Sequence, residues 1–191
     1  MKTIHNTQEF LAVIGPDGWV TEPVQLAKDC WLGGLHSLRS LDGVALVEGC
    51  WLGGLTGLTS LEGVTLAAKC WLGGLTRLRS LKGATLADGC WMSGLTGLTS
   101  LEGLRLAERC ELGGLTGLRS LEGLRLADGC ELGGYLPWPL RFFRDRLYIG
   151  RETVLPGVTD DDVRDVIARH GAKEHTDRIF EVVNIWRGWI A

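Results

Sequence analysis

Apolar residues return at short, regular intervals along residues 50–69, CWLGGLTGLTSLEGVTLAAK: Leu52, Leu55, Leu58, Leu61, Val64 and Leu66. Steps of three and then two match neither the 3.6-residue period of a long helix nor the alternation of a long strand. They suit a chain that turns a corner every few residues and points one apolar side chain inward at each step. The same string recurs at 30–49, 70–89, 90–109 and 110–129, with Cys, Gly, Leu, Leu, Ser, Leu, Gly and Leu in eight fixed columns. Partial units, Val24-Gln-Leu-Ala-Lys-Asp29 and Cys130-Glu-Leu-Gly-Gly134, flank them. Self-similarity at a fixed period is the signature of a solenoid, in which each unit buries its apolar face only against its neighbours. The pattern predicts a mainly β solenoid of about five to six coils of twenty residues, with parallel β-ladders along short Cys-Trp-Leu and Val-Thr-Leu edges. Glycine supplies the corners, and a twenty-residue coil leaves no room for a full helix.

The array spans 24–134, so 1–23 and 135–191 are expected to cap it, because a bare terminal coil exposes core leucines and strand edges. At the amino-terminal end Asn6 or Thr7 starts a short helix through Ile14 that presents Phe10, Leu11 and Ile14 to the first coil. At the other end Tyr135 takes a core leucine's place and Pro137-Trp-Pro139 stops the repeat. A β pair is expected over Leu140 to Ile149, turning near Arg144 and Asp145. Thr159 with Asp160, Asp161 and Asp162 starts a helix ended by Gly171, and a last amphipathic helix runs from Thr176 to Ile190.

Leu61-x-x-Val64-x-Leu66 resembles the opening of the leucine-rich-repeat consensus, L-x-x-L-x-L, although the cysteine stands at 70 where the consensus would place it at 69. The unit is more similar to short leucine-rich-like repeats of phage and bacterial proteins, through Cys50-Trp51-Leu52 and Leu58-Thr-Ser-Leu-Glu-Gly-Val64, without that family's proline. The resemblance covers residues 24–150. It implies a leucine-rich-like solenoid and a phage or mobile-element origin, and it implies no activity.

One column stands apart: Trp31, Trp51, Trp71, Trp91, Glu111 and Glu131. A buried glutamate without a partner is strongly disfavoured, so the column must face outward. Strand alternation then turns the flanking Cys and Leu inward. Four tryptophans in register form a row roughly 15 Å long at about 4.8 Å per coil. Exposed aromatic surface of that extent marks interaction sites, and tryptophan is enriched at binding hot spots; the row also stabilises the stack by ring–ring contact. Where Trp gives way to Glu, Ala45, Thr65 and Thr85 give way to Arg105 and Arg125, which predicts a charged rim on the aromatic patch. Glu62, Glu102 and Glu122 are expected to form surface pairs near those arginines. The serine column, Ser40 to Ser120, is expected to hydrogen-bond its own coil's backbone.

Cysteines at 30, 50, 70, 90, 110 and 130 keep the repeat's register, as buried free thiols would. No C-x-x-C with nearby histidine offers a metal site, and no cofactor fingerprint or catalytic motif appears. His170 and His175 read as solvated, and the Asp160 cluster as helix-capping. A net charge of −3 predicts no attraction to nucleic acid or anionic membrane. No signal-peptide-like stretch opens the sequence and no run is long enough to span a bilayer, which predicts a cytoplasmic protein. The sequence thus points to a non-catalytic protein that binds a protein partner through the tryptophan row. Self-association through the same row and carbohydrate binding are the alternatives.

Overall fold

Stacking places residues twenty apart side by side, and the backbone satisfies itself between coils. Trp51 N–H donates to Cys30 O at 2.8 Å, Trp71 N–H to Cys50 O at 2.8 Å and Gly73 N–H to Leu52 O at 2.9 Å. The computed structural model describes residues 1–191 and is a β-solenoid. Its principal sheet has parallel strands Trp31–Leu32, Trp51–Leu52, Trp71–Leu72, Trp91–Met92, Glu111–Leu112 and Cys130–Leu132, each in register with the next. A second side carries Thr65–Leu66, Thr85–Leu86 and Arg105–Leu106. Nearer the amino terminus that side carries Lys2–Ile4, Val24–Leu26 and Val44–Ala45 as a separate parallel sheet.

Each coil turns three corners through left-handed backbone, shown by Gly54 (φ +74°), Gly63 (φ +68°) and Lys69 (φ +57°). Glycine fills the first two columns throughout, because a side chain is strained there. The third column alternates: Asp29, Gly49, Lys69, Gly89, Arg109 and Gly129. A Cβ placed at Gly129 would lie 3.1 Å from Arg109 Cγ, and one at Gly49 2.0 Å from Asp29 Oδ1. Each non-glycine side chain therefore occupies the space over the glycine of the following coil.

Between corners the leucines of each coil are buried, as Leu52, Leu55, Leu58, Leu61 and Leu66 are in the second. Burying one such side chain stabilises by about 1.5–3 kcal/mol. All six cysteines are buried and unpaired. From Cys50 onward each thiol donates to a carbonyl of the coil before, Cys50 to Ala27 O at 3.4 Å and Cys90 to Ala67 O at 3.0 Å. Burial pushes the Cys130 thiol up to about 11. The serine hydroxyls accept from the backbone two residues on, Ser60 from Glu62 N–H at 3.1 Å and Ser120 from Glu122 N–H at 2.9 Å, as the sequence predicts.

The amino-terminal cap is shorter in helix than expected. Asn6 caps α1, Thr7–Leu11, by accepting from Glu9 N–H. Phe10 and Val13 are buried, whereas Leu11 faces solvent. Two β-branched residues and Pro16 end the helix, and Ile14 instead bridges Val20. Gly18 then lies against the first coil, where Arg39 N–H donates to its carbonyl at 2.8 Å. The strand Lys2–Ile4, which sequence reasoning omits, extends the second side by pairing with Val24–Leu26.

At the carboxy-terminal end the principal sheet continues antiparallel through Leu140–Phe142, Leu147–Ile149 and Glu152–Val154. The first two of these strands form the expected pair and the third is additional. Helix α2, Asp160–Arg169, has a complete capping box between Thr159 and Asp162, and α3 runs Thr176–Ile190. Buried Tyr135 sits in the core as expected. Its docking partner is Glu181 of α3, which accepts from the Tyr135 hydroxyl, from Ser120 Oγ at 2.6 Å and from Leu121 N–H at 2.7 Å. Arg178 lies over the Tyr135 ring and donates to Tyr135 O at 2.8 Å, and Trp186 Nε1 donates to Phe143 O at 2.6 Å.

Burial disfavours the Glu181 anion, but the hydrogen bonds it accepts outweigh that and hold its carboxyl below the ordinary glutamate value of 4.5. A depressed folded-state value contributes stability above 4.5 that is lost as pH falls through the folded value. Glu181→Ala should cost about 2–3 kcal/mol by stranding Tyr135 Oη–H and Leu121 N–H. The stability difference between the variant and the parent in urea melts should narrow as pH falls below 4.5; a constant difference across pH would show that Glu181 does not dock the cap as an anion.

Candidate functional site

Along the outer face of the principal sheet the register aligns Trp31, Trp51, Trp71, Trp91, Glu111, Glu131, Arg141, Tyr148 and Thr153. The four indoles form a stack. Ring centroids of Trp31 and Trp51 lie 4.8 Å apart at 19°, those of Trp51 and Trp71 4.2 Å apart at 3°, and those of Trp71 and Trp91 5.1 Å apart at 43°. Stacked arrangements of this kind add about 0.5–1.5 kcal/mol each beyond area burial. The outward placement agrees with the sequence reading, but the rings are not equivalent. Trp51 and Trp71 are half-buried, whereas Trp31 and Trp91 are 64% and 39% exposed.

The cause lies two residues along each strand, where the side chain would share the indole's face of the sheet. A Cβ at Gly53 would sit 2.5 Å from Trp51 Cη2, and one at Gly73 2.2 Å from Trp71 Cη2. The benzo edge of each indole thus rests on bare glycine backbone. At Gly33 the ring is looser, with Trp31 Cη2 at 3.9 Å. In the Trp91 coil a serine, Ser93, occupies the seat, and there the ring tilts and is more exposed. In sequence the glycines of Trp-Leu-Gly-Gly read only as corner residues. The i, i+2 rule applied to the first glycine of each pair is the signal that identifies these seats.

Beyond Trp91 the row becomes charged. Glu111 is exposed, and Glu131 is half-buried and paired with Arg141 Nε at 3.2 Å. Burial raises the Glu111 carboxyl above 4.5 and the charge of Glu131 raises it further, which a hydrogen bond from the Trp91 indole only partly offsets. Gly113 and Gly133 lie beside these glutamates with no ring above them.

Arg105 and Arg125 are not part of this row. They belong to the second side of the coil, bridged to each other and separated from the glutamates by the corner at Arg109 and Gly129. That corner turns their side chains onto an adjoining face, so they do not rim the indoles. Nor do they pair with the glutamate column: Glu102 meets Lys82 at 4.0 Å, and Glu62 accepts from Ser80 Oγ at 2.6 Å.

Several titratable groups of the carboxy-terminal cap have structural partners. His170 Nε2 lies 2.8 Å from Glu152 Oε1, and His175 packs edge-on against Trp138. Asp160 pairs with Arg187, and Asp161 with Arg164. The carboxy-terminal cap holds a partly open cavity of about 730 Å³ lined by apolar side chains such as Ile149, Val163 and Ile167 and by Arg141, Glu152, Asp162 and His170. No group of three or more His, Cys, Asp or Glu side chains is placed to hold a metal ion. No helix is long and apolar enough to cross a membrane.

Gly73→Ala should lift the Trp71 ring off its seat at a cost of about 1–3 kcal/mol, the range for overpacking. The check is a thermal melt with tryptophan emission, in which the variant's spectrum shifts to the red; unchanged emission and stability would remove the glycine seat as the ordering element. Glu111→Gln works in the opposite direction. A raised folded-state value means that ionisation opposes folding, so the penalty is complete above that value and absent below 4.5. The glutamine variant should therefore melt higher at pH 7 and match the parent at about pH 4 and below.

No family model, curated protein or solved structure matches this chain.

Proposed function

We propose that this chain is a non-catalytic interaction protein that binds a protein partner through the tryptophan row. The observation that carries the reading is the exposure of Trp31 and Trp91 at the two ends of a continuous indole stack that neither cap covers. Ordered aromatic side chains present large contact area at little entropic cost on binding. Trp51 and Trp71 act as the pre-organised centre, half-buried with their faces held by neighbouring rings and with Trp71 Nε1 buried without a hydrogen-bond partner. A phage or mobile-element protein acting on a host complex in the cytoplasm is the biological setting that the repeat's resemblance supports.

Self-association uses the same surface, and the open end ring of Trp31 favours it as the second reading. Carbohydrate binding has less support, since sugars stack on aromatic faces and here most faces are occupied by neighbouring indoles.

Trp31→Ala combined with Trp91→Ala is the test of choice, because these rings carry the exposure and lack a close glycine seat. Loss of end rings should cost about 1–3 kcal/mol in stability, two ring–ring contacts, while weakening partner capture by a hundredfold or more, at about 2–4 kcal/mol per anchor. Capture from an extract of the native host is compared between parent and variant, with sedimentation of the parent alone. Equal capture by both proteins sinks the binding face; a parent dimer at micromolar concentration that the double variant abolishes moves the reading to self-association.

A further inference from the structure

The indole stack ends abruptly at Trp91, and the strip of sheet beyond it has a definite chemistry. Trp71 covers one side of Trp91, at 5.1 Å, and no ring covers the other, which turns toward the Glu111 coil. In the coils of Trp51 and Trp71 the indole occupies the space above the glycine two residues on. The corresponding spaces above Gly113 and Gly133 are open: only backbone atoms, Met92 O at 3.8 Å and Leu112 O at 3.9 Å among them, approach the positions their Cβ atoms would take. The side chains in register with the indoles at these two coils are carboxylates, Glu111 and Glu131. Arg141 answers Glu131, whereas Glu111 has the indole N–H of Trp91 as its hydrogen-bond partner and no cation of the chain beside it.

We infer that the bare strip beyond Trp91 is a slot for an arginine side chain of the protein partner, its guanidinium stacked on the open face of Trp91 and paired with Glu111. The inference rests on the tryptophan row being the binding face and names the chemistry that it recognises. A guanidinium is planar, stacks on indole and hydrogen-bonds a carboxylate in its own plane. It therefore continues the ladder by one step and supplies the missing counter-charge. A neutral aromatic side chain would fill the slot but leave the Glu111 carboxylate without a counter-charge. A lysine would answer the charge without extending the stack. A bound arginine also offsets the burial and the Glu131 charge that raise the Glu111 carboxyl. Trp31, at the opposite end, has an exposed face but no carboxylate in register beyond it, so charge selects the Trp91 end.

The probe is acetyl-Arg-Arg-Arg-amide titrated into the full chain, with the tri-lysine peptide as control, followed by two-dimensional nuclear magnetic resonance. The arginine peptide should shift the Trp91 indole resonance and the amides of Gly113 and Gly133, and should bind more tightly than tri-lysine. Glu111→Gln, which leaves the Trp91 face in place and is expected not to lower stability, should weaken it by about tenfold, the loss of one charge-assisted hydrogen bond. Equal affinity for the two peptides, shifts confined to other residues, or an unaffected Glu111→Gln variant would each overturn the slot. Partner capture separates this from failure of the binding face: if Trp31→Ala with Trp91→Ala abolishes capture but Glu111→Gln does not change it, the arginine slot is wrong and the face stands.

Discussion

The hydrogen bonds from each coil to the coil twenty residues earlier hold this molecule in register, and every other feature inherits its position from them. Cys30 O accepts from Trp51 N–H, Cys50 O from Trp71 N–H and Cys70 O from Trp91 N–H, at 2.8 to 2.9 Å. A slip by one residue would turn leucines outward and indoles inward. The strict twenty-residue spacing of the sequence is therefore the condition under which leucines meet leucines, thiols meet carbonyls and indoles meet indoles. Because stability is a sum of neighbour contacts, the ends need specific closure. The chain supplies it by borrowed strands: Lys2–Ile4 on one side and the antiparallel run from Leu140 to Val154 on the other.

The indole row shows how a backbone constraint becomes surface chemistry. Parallel strands fix the spacing of the rings, while glycine at i+2 fixes how deeply each ring settles. Removing the glycine, as at Ser93, frees one ring; removing the indole, as at Glu111 and Glu131, leaves bare backbone beside a carboxylate. Three substitutions in an otherwise repetitive motif thus divide one sheet face into an ordered centre, a tilted edge and an acidic trough.

The repetitive part of this architecture is legible in the sequence because identical units reinforce one another: the leucine columns, the inward cysteines and the outward tryptophans all derive from period and alternation. The helices of the carboxy-terminal cap are legible too, since Thr159, Gly171 and the Thr176 start are local signals. The illegible part depends on contacts between segments far apart in sequence. Glu181 looks like any polar position of an amphipathic helix until Tyr135, Ser120 and Leu121 are brought to it. Lys2–Ile4 is too short to announce a strand without Val24–Leu26 beside it. Column arithmetic groups Arg105 and Arg125 with the glutamates because it gives the order of residues around a coil but not which corner divides them.

The alternation at the third corner has a bearing on how such an array can change length. Asp29, Lys69 and Arg109 each lean over the glycine of the next coil, and Arg39, Thr59, Arg79, Thr99 and Arg119 alternate in step with them. Losing or copying a single coil would keep the ladders in register yet bring two bulky corners, or two bare ones, together. Losing or copying a pair keeps both. The array therefore has a parity: its building block, in the sense of what can be duplicated without a seam, is two coils, although every hydrogen bond within it is made one coil at a time.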